Sequence, residues 1–126
     1  MKKMPPRRAP GHERNYPTDP ADILEAAAEV LETEGWCQED YRKVNDNGGW
    51  SYCAVGALKK VVGYYDNRPW DMNFQRRAQA MREAQDMLGS GGEIYDFNDE
   101  PTTTADVIID LMKHKAKDLR NRKEPA

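Results

Sequence analysis

Cys37 and Cys53 lie sixteen positions apart, in "GWCQED" and "WSYCAVGALKK". A thiol placed at the start of a helix meets free N–H groups and the positive end of the dipole, and both favour the thiolate. Cys53 has that position at the head of an apolar helical run, so it is the candidate nucleophile, with Asn98 and Asp99 as candidate partners in a cysteine-dependent or hydrolytic reaction. Such chemistry needs a base, normally histidine. The chain has two, His12 and His114. One falls in a proline-rich arm and the other near the end of the last predicted helix, so neither is expected to serve Cys53. The alternative role for Cys53 is a small buried hydrophobe beside Ala54.

A structural zinc site asks for four ligands, usually including a Cys-x-x-Cys or a helical histidine pair, and neither occurs. Asp96, Asp99 and Glu100 offer oxygen ligands for a divalent cation. Acidic residues just before a helix also serve as caps and dipole partners, so no metal is expected there. "GSGGE" lacks the lysine and spacing of a phosphate loop. No cofactor is expected either. Arg76, Arg77 and Arg82 share the polar side of a predicted helix with Glu83 and Asp86, a pattern of a solvated face. What remains is an aromatic and amide-rich set: Trp36, Gln38, Trp50, Tyr52, Tyr95 and Asn98, with Phe97 beside it. Side chains with apolar area and a polar tip suit a ligand pocket or an interface, and also a small core.

The elements that must position these residues follow from periodicity and punctuation. Thr18 or Asp19 can cap a first helix with Pro20 in its first turn. Ile23, Leu24, Ala27, Val30 and Leu31 give its apolar face, and Gly35 ends it. "YRKVNDNGGWSY" allows a short hairpin over 41–52 with its loop at 45–49, or else an irregular loop. Ser51 can cap a second helix reaching about Tyr64, in which Gly56 marks a close crossing. "DNRPWD" is a turn, and a third helix runs from about Asn73 to Leu88. A compact segment anchored by Ile94 and Phe97 follows. The last helix starts at a Thr103–Asp106 capping box and runs to 119, with Val107, Ile108, Leu111, Met112 and Leu119 on its apolar face. The fold class is therefore mainly α: a compact four-helix domain over 18–119, with or without one small hairpin. It is flanked by a disordered arm at 1–17 and a disordered tail at 120–126.

The 126 residues allow one domain. Charge is segregated: residues 1–20 carry five Lys/Arg against two Asp/Glu, residues 113–126 six against two, and residues 21–112 eight against eighteen. An acidic body with basic ends is a poor platform for phosphate, so nucleic acid is not the expected partner beyond weak contact through the ends. No apolar run is long enough to span a membrane, and no apolar stretch follows the charged start. Two cysteines in such a chain point to a reducing cytoplasm and free thiols.

The order "GWCQ", "CAVGALKK", "IYDFND" and Thr103 with "ADV" resembles an uncharacterised domain of small actinobacterial and actinophage proteins. That domain shows Gly-Trp-Cys/Thr-Gln after an opening helix, a Cys-Ala-x-Gly-Ala-Leu helix, Trp-Asn-Asp and a Thr-initiated helix with Glu-Val. The likeness covers roughly residues 22–112. It departs at Phe97, where Trp is usual, and at Asp106, where Glu is usual; both swaps keep an aromatic plug and an acidic cap. The resemblance implies a mostly helical protein, phage-encoded or actinobacterial and cytoplasmic, and implies no reaction. The combined expectation is a small non-enzymatic binding or accessory protein acting on a host protein or small ligand, with the cysteine enzyme and the weak nucleic-acid binder as alternatives.

Overall fold

Asp19 begins the first helix by accepting from the backbone N–H groups of Ala21 and Asp22 at 3.1 and 3.2 Å. With Pro20 at the first position, where a missing N–H costs nothing, the start of α1 (Pro20–Glu34) is set. Gly35 stops it at φ +114°, and a Cβ there would lie 2.6 Å from Ser51 Oγ. The same glycine thus ends the helix and admits the neighbouring strand. In the computed structural model, residues 16–66 and 73–123 are described. The chain continues through β1 (Arg42–Val44), β2 (Trp50–Tyr52), α2 (Ala54–Val61), α3 (Phe74–Leu88), α4 (Glu93–Asp99) and α5 (Ala105–Lys123). The predicted turn at 67–71, most of the predicted arm and the last three residues of the predicted tail lie outside the described residues.

The hairpin has the predicted loop, and its register pairs Lys43 with Ser51. Asn45 builds the turn: its Oδ1 accepts from the N–H groups of Asn47 and Gly49 at 2.9 and 3.1 Å. The far side of β2 is paired as well. Tyr52 N–H donates to Gly35 O, and Cys37 N–H to Tyr52 O, both at 3.0 Å. Residues 35–37 therefore run parallel beside β2.

The core lies among α1, α2, α3 and α5. Ile23, Leu24, Ala27 and Ala28 of α1 and Ile108, Met112 and Ala116 of α5 are fully buried, and α1 packs most extensively against α5. The small residues on α1 let the two helices approach closely. Ile94 buries α4 against the rest of the core.

The mainly helical class with one hairpin is as expected, but several details differ. The compact segment after Gly92 is a fifth helix, α4, too short to show a helical period. Phe97 on it is 38% exposed, so Ile94 is its anchor. Cys53, not Ser51, caps α2, and α2 stops at Val61. Thr104 rather than Thr103 faces the start of α5, accepting from Val107 N–H at 3.4 Å. Val107 is exposed, and Ile109 and Ala116 take places on the buried face. The last helix does not stop at 119: it runs to Lys123, and Arg120 pairs with Asp22 and Glu25 of α1.

Arg77 corrects the solvated-face reading of α3. It is 1% exposed, and its Nε donates to Val62 O at 2.9 Å. The guanidinium also stacks against the rings of Tyr16 and Phe74. A charge is buried here because it satisfies a carbonyl at the end of α2 and fits between two aromatic faces. Tyr16 hydrogen-bonds to Asp66 through its hydroxyl, so part of the predicted arm packs on the domain. Among the described residues no helix is long and apolar enough to cross a membrane.

Candidate binding cleft and the joint behind it

Asn98, at the end of α4, is 2% exposed and uses its whole amide. Oδ1 accepts from Trp36 Nε1 at 2.8 Å and from Ala54 N–H at 2.9 Å. Nδ2 donates to Cys37 O at 3.2 Å and to Asp99 Oδ1 at 3.0 Å. Two donors and two lone pairs are all an amide has, so nothing is left for a ligand. Gln38 completes the joint by donating to the carbonyls of Asn98 and Glu100 at 3.1 and 2.9 Å. Trp36, Gln38 and Asn98, expected in one ligand- or partner-binding set, are brought together here by bonds to one another and to backbone, and they tie the end of α1 and the start of α2 to α4.

In front of this joint opens a cleft of 280 Å³. The buried Cys53, Val55 and Ile94 form its floor and the buried Asn98 its inner wall, with the exposed Asp99 beside it at the mouth. Tyr41 and Tyr95 flank the mouth, with their rings edge-on at 6.2 Å and their hydroxyls 3.3 Å apart. Glu39 and Asp40 make the rim. Glu39 has φ +79°, the one positive φ among the described non-glycine residues. That conformation costs a side-chain-bearing residue about 1–3 kcal/mol and needs support from its surroundings. Support comes from Asp99 Oδ1, which accepts the Glu39 N–H at 2.8 Å.

The cleft exists because two backbones meet behind it. A Cβ on Gly56 would come within 1.8 Å of Tyr41 O. That carbonyl accepts from Cys53 N–H at 3.0 Å. The predicted close crossing is therefore between α2 and the strand entering the hairpin. It holds Tyr41 over the first turn of α2, opposite Tyr95.

Burial pushes the Cys53 thiol up, against the lowering effect of the Gly56 N–H, which reaches Sγ at 3.3 Å. The helix start does favour a thiolate, but an interior position disfavours it more. Cys37, raised first by burial and then by Cys53, is pushed up from 9.0 to about 11. His114 sits on α5 paired with Asp118 and does not line the cleft. Cys53 is thus a neutral helix cap, and Asn98, with its N–H groups engaged, has no donor to offer an oxyanion. Cys53, Asn98 and Asp99 do meet at one place, but as floor, wall and mouth. Tyr95 is pushed up to about 12, first by burial and then by Tyr41.

The remaining predicted residues sit elsewhere. Tyr52 is a core residue against Tyr65. Trp50 lies on the hairpin surface with the Arg42 guanidinium 3.9 Å above its ring, and Tyr65 lies 4.1 Å on the other side of that cation. Residues not singled out as a site, Glu39, Asp40, Tyr41, Val55 and Ile94, supply most of the cleft. The available signal was the acidic "ED" following "WCQ", whose meaning depended on where α4 would land. No group of three or more His, Cys, Asp or Glu among the described residues is placed to hold a metal. A wider depression between α1 and α5 is lined by Asp22, Glu25, Lys113 and Arg120. Across this seam Lys113 pairs with Glu32 at 2.8 Å, and Arg120 with Asp22 and Glu25.

Comparison with known proteins finds one family, described as a family of unknown function (DUF6197), whose sequence model matches residues 15–118. Neither a curated protein nor a solved structure matches.

Proposed function

The chain belongs to DUF6197, a family of unknown function, and from that premise we propose that it is a small non-enzymatic binding protein whose working surface is the cleft between Tyr41 and Tyr95. The carrying observation is Glu39: a residue without the freedom of glycine is held left-handed at the rim by Asp99. Strain kept at the edge of an open concavity is characteristic of a site shaped for a ligand. Tyr41 and Tyr95 are each partly exposed there. The neutral, capped Cys53 favours binding over thiol chemistry.

The occupant is a small ligand, or one side chain of a host protein, given the cleft's size. Action in a cytoplasm suits the two free thiols. Phage or actinobacterial origin rests on the motif resemblance alone. The test is an amide-resolved NMR titration of the full chain with a mixed set of small cationic, anionic and neutral fragments. Saturable shifts should cluster on Tyr41, Val55, Ile94 and Tyr95. Shifts confined to other surfaces, or none at all, would remove the cleft from consideration.

A further inference from the structure

We infer that the cleft takes a small organic cation, an alkylammonium or alkylguanidinium on a short apolar stem. This rests on reading the cleft as the binding site and goes on to name the ligand's chemistry.

The lining divides by depth. The floor of Val55, Ile94 and the un-ionised Cys53 carries no charge and matches an apolar stem. The mouth carries Glu39, Asp40 and Asp99, and among the described residues no basic side chain lines the cleft. Lys43 lies 3.9 Å from Glu39 and offsets that charge in part. Asp40 and Asp99 keep theirs. Asp99 is the better placed: Oδ1 is committed to Glu39 N–H and Asn98 Nδ2, which fixes the carboxylate. Its Oδ2 makes no hydrogen bond among the described residues and is left to accept from a ligand.

The aromatic pair points the same way. Lys59 already lies 4.5 Å from the centre of the Tyr41 ring, so aromatic rings at this end of the molecule hold cations. Tyr95, its hydroxyl kept protonated by burial and by Tyr41, adds a neutral ring to the other side of the mouth. An anion would meet the carboxylates of Asp40 and Asp99 at the mouth. A neutral molecule would fill the floor and leave the mouth's charge unanswered. At about 30 Å³ for each water-sized group, 280 Å³ holds on the order of ten non-hydrogen atoms. That is one amine or guanidine with a few methylenes, so we commit to a free small molecule.

Three probes of one size and different charge test this: n-butylammonium, 1-butanol and butyrate, each titrated into the full chain with amide detection. Butylammonium should give saturable shifts at Val55, Tyr95 and Asp99, weakening as salt is added, while butyrate gives none. Asp99→Asn keeps both Oδ1 hydrogen bonds and should weaken butylammonium about tenfold. Should that variant misfold, Asp40→Asn removes charge from a side chain with no packing duty and should weaken binding severalfold. Equal shifts from butanol, or any cleft binding by butyrate, would overturn the cation assignment and leave the cleft as a binding site. No cleft shifts from any of the three, together with none from the fragment set, would overturn both. Binding of a lysine- or arginine-bearing peptide but not of butylammonium would overturn the free small-molecule assignment.

Discussion

At the scale of single residues, Asn98 carries the most. Removing its amide leaves Trp36 Nε1, Ala54 N–H and Cys37 O without partners. Orphaned buried groups cost about 1–3 kcal/mol each before relaxation. Asn98→Ala should therefore lower the unfolding free energy by about 3 kcal/mol in urea titrations; a loss under 1 kcal/mol would mean the joint is held by other contacts. The thiols give a second expectation. Cys37 binds its proton more tightly in the folded state, about 11 against an ordinary 9.0. Its contribution is thus complete below pH 9 and fades as pH rises towards 11. Denaturant melts across that window should show stability falling with pH, and Cys37→Ala should flatten part of the slope. An unchanged slope would mean Cys37 titrates alike in the folded and unfolded chain. At this scale the sequence was informative about residue type and poor about duty. Asn98 stood out as one of an aromatic and amide-rich set, yet Arg77 was legible only as one of three surface arginines. Burial of a charge is decided by which carbonyl and which rings surround it, and of these only Phe74 is local; Val62 O and Tyr16 come from distant segments.

At the scale of elements, Gly56 sets the geometry. Alanine is better than glycine inside a helix by about 1 kcal/mol. Here its methyl would meet the Tyr41 carbonyl at 1.8 Å, a backbone atom that cannot swing aside. Gly56→Ala should therefore lower the melting temperature by more than ten degrees, or prevent folding, whereas a gain would show that the hairpin can shift off α2. The hairpin, the start of α1 and the span of α3 were legible because each is set locally, by Asn45 and its glycines, by Asp19–Pro20, and by a long apolar period. Helix α4 was not. Seven residues give no period to read, and its helical form depends on Ile94 finding the core and Asn98 finding Trp36. The cleft inherits that opacity, since it opens only where α4 lies against the strand entering the hairpin.

At the scale of the whole molecule, two closures among the described residues join distant segments besides the core and the joint at Asn98. One is the seam where α5 pairs with α1 through Lys113 and Arg120. Those side chains are exposed, so the seam adds little beyond the packing beneath it. The other is Tyr16, which joins Asp66 and lies against Arg77. Two truncations separate its part: starting the chain at Pro17 rather than Tyr16 should cost several degrees of melting temperature. If the two proteins melt together, Arg77 is content without the ring. The overall helical architecture was legible from capping and periodicity; the closures between distant segments were not, because no local pattern encodes them.

The joint also has a bearing on the order in which the molecule assembles. Its bonds from Trp36, Gln38, Glu39 and Cys37 to Asn98, Asp99 and Glu100 span 60 to 62 positions. Closing a loop of that length costs about 3–4 kcal/mol of chain entropy before any of these bonds forms. The hairpin and the helices ask for much less, so they precede the still longer closure of α5 on α1, and they precede the clasp around Asn98. A change made there acts after the barrier has been crossed. In stopped-flow measurements, Asn98→Ala should speed unfolding by about a hundredfold and leave the refolding rate within about twofold. The residue that secures the folded chain is then a brake on its opening, with no part in starting it.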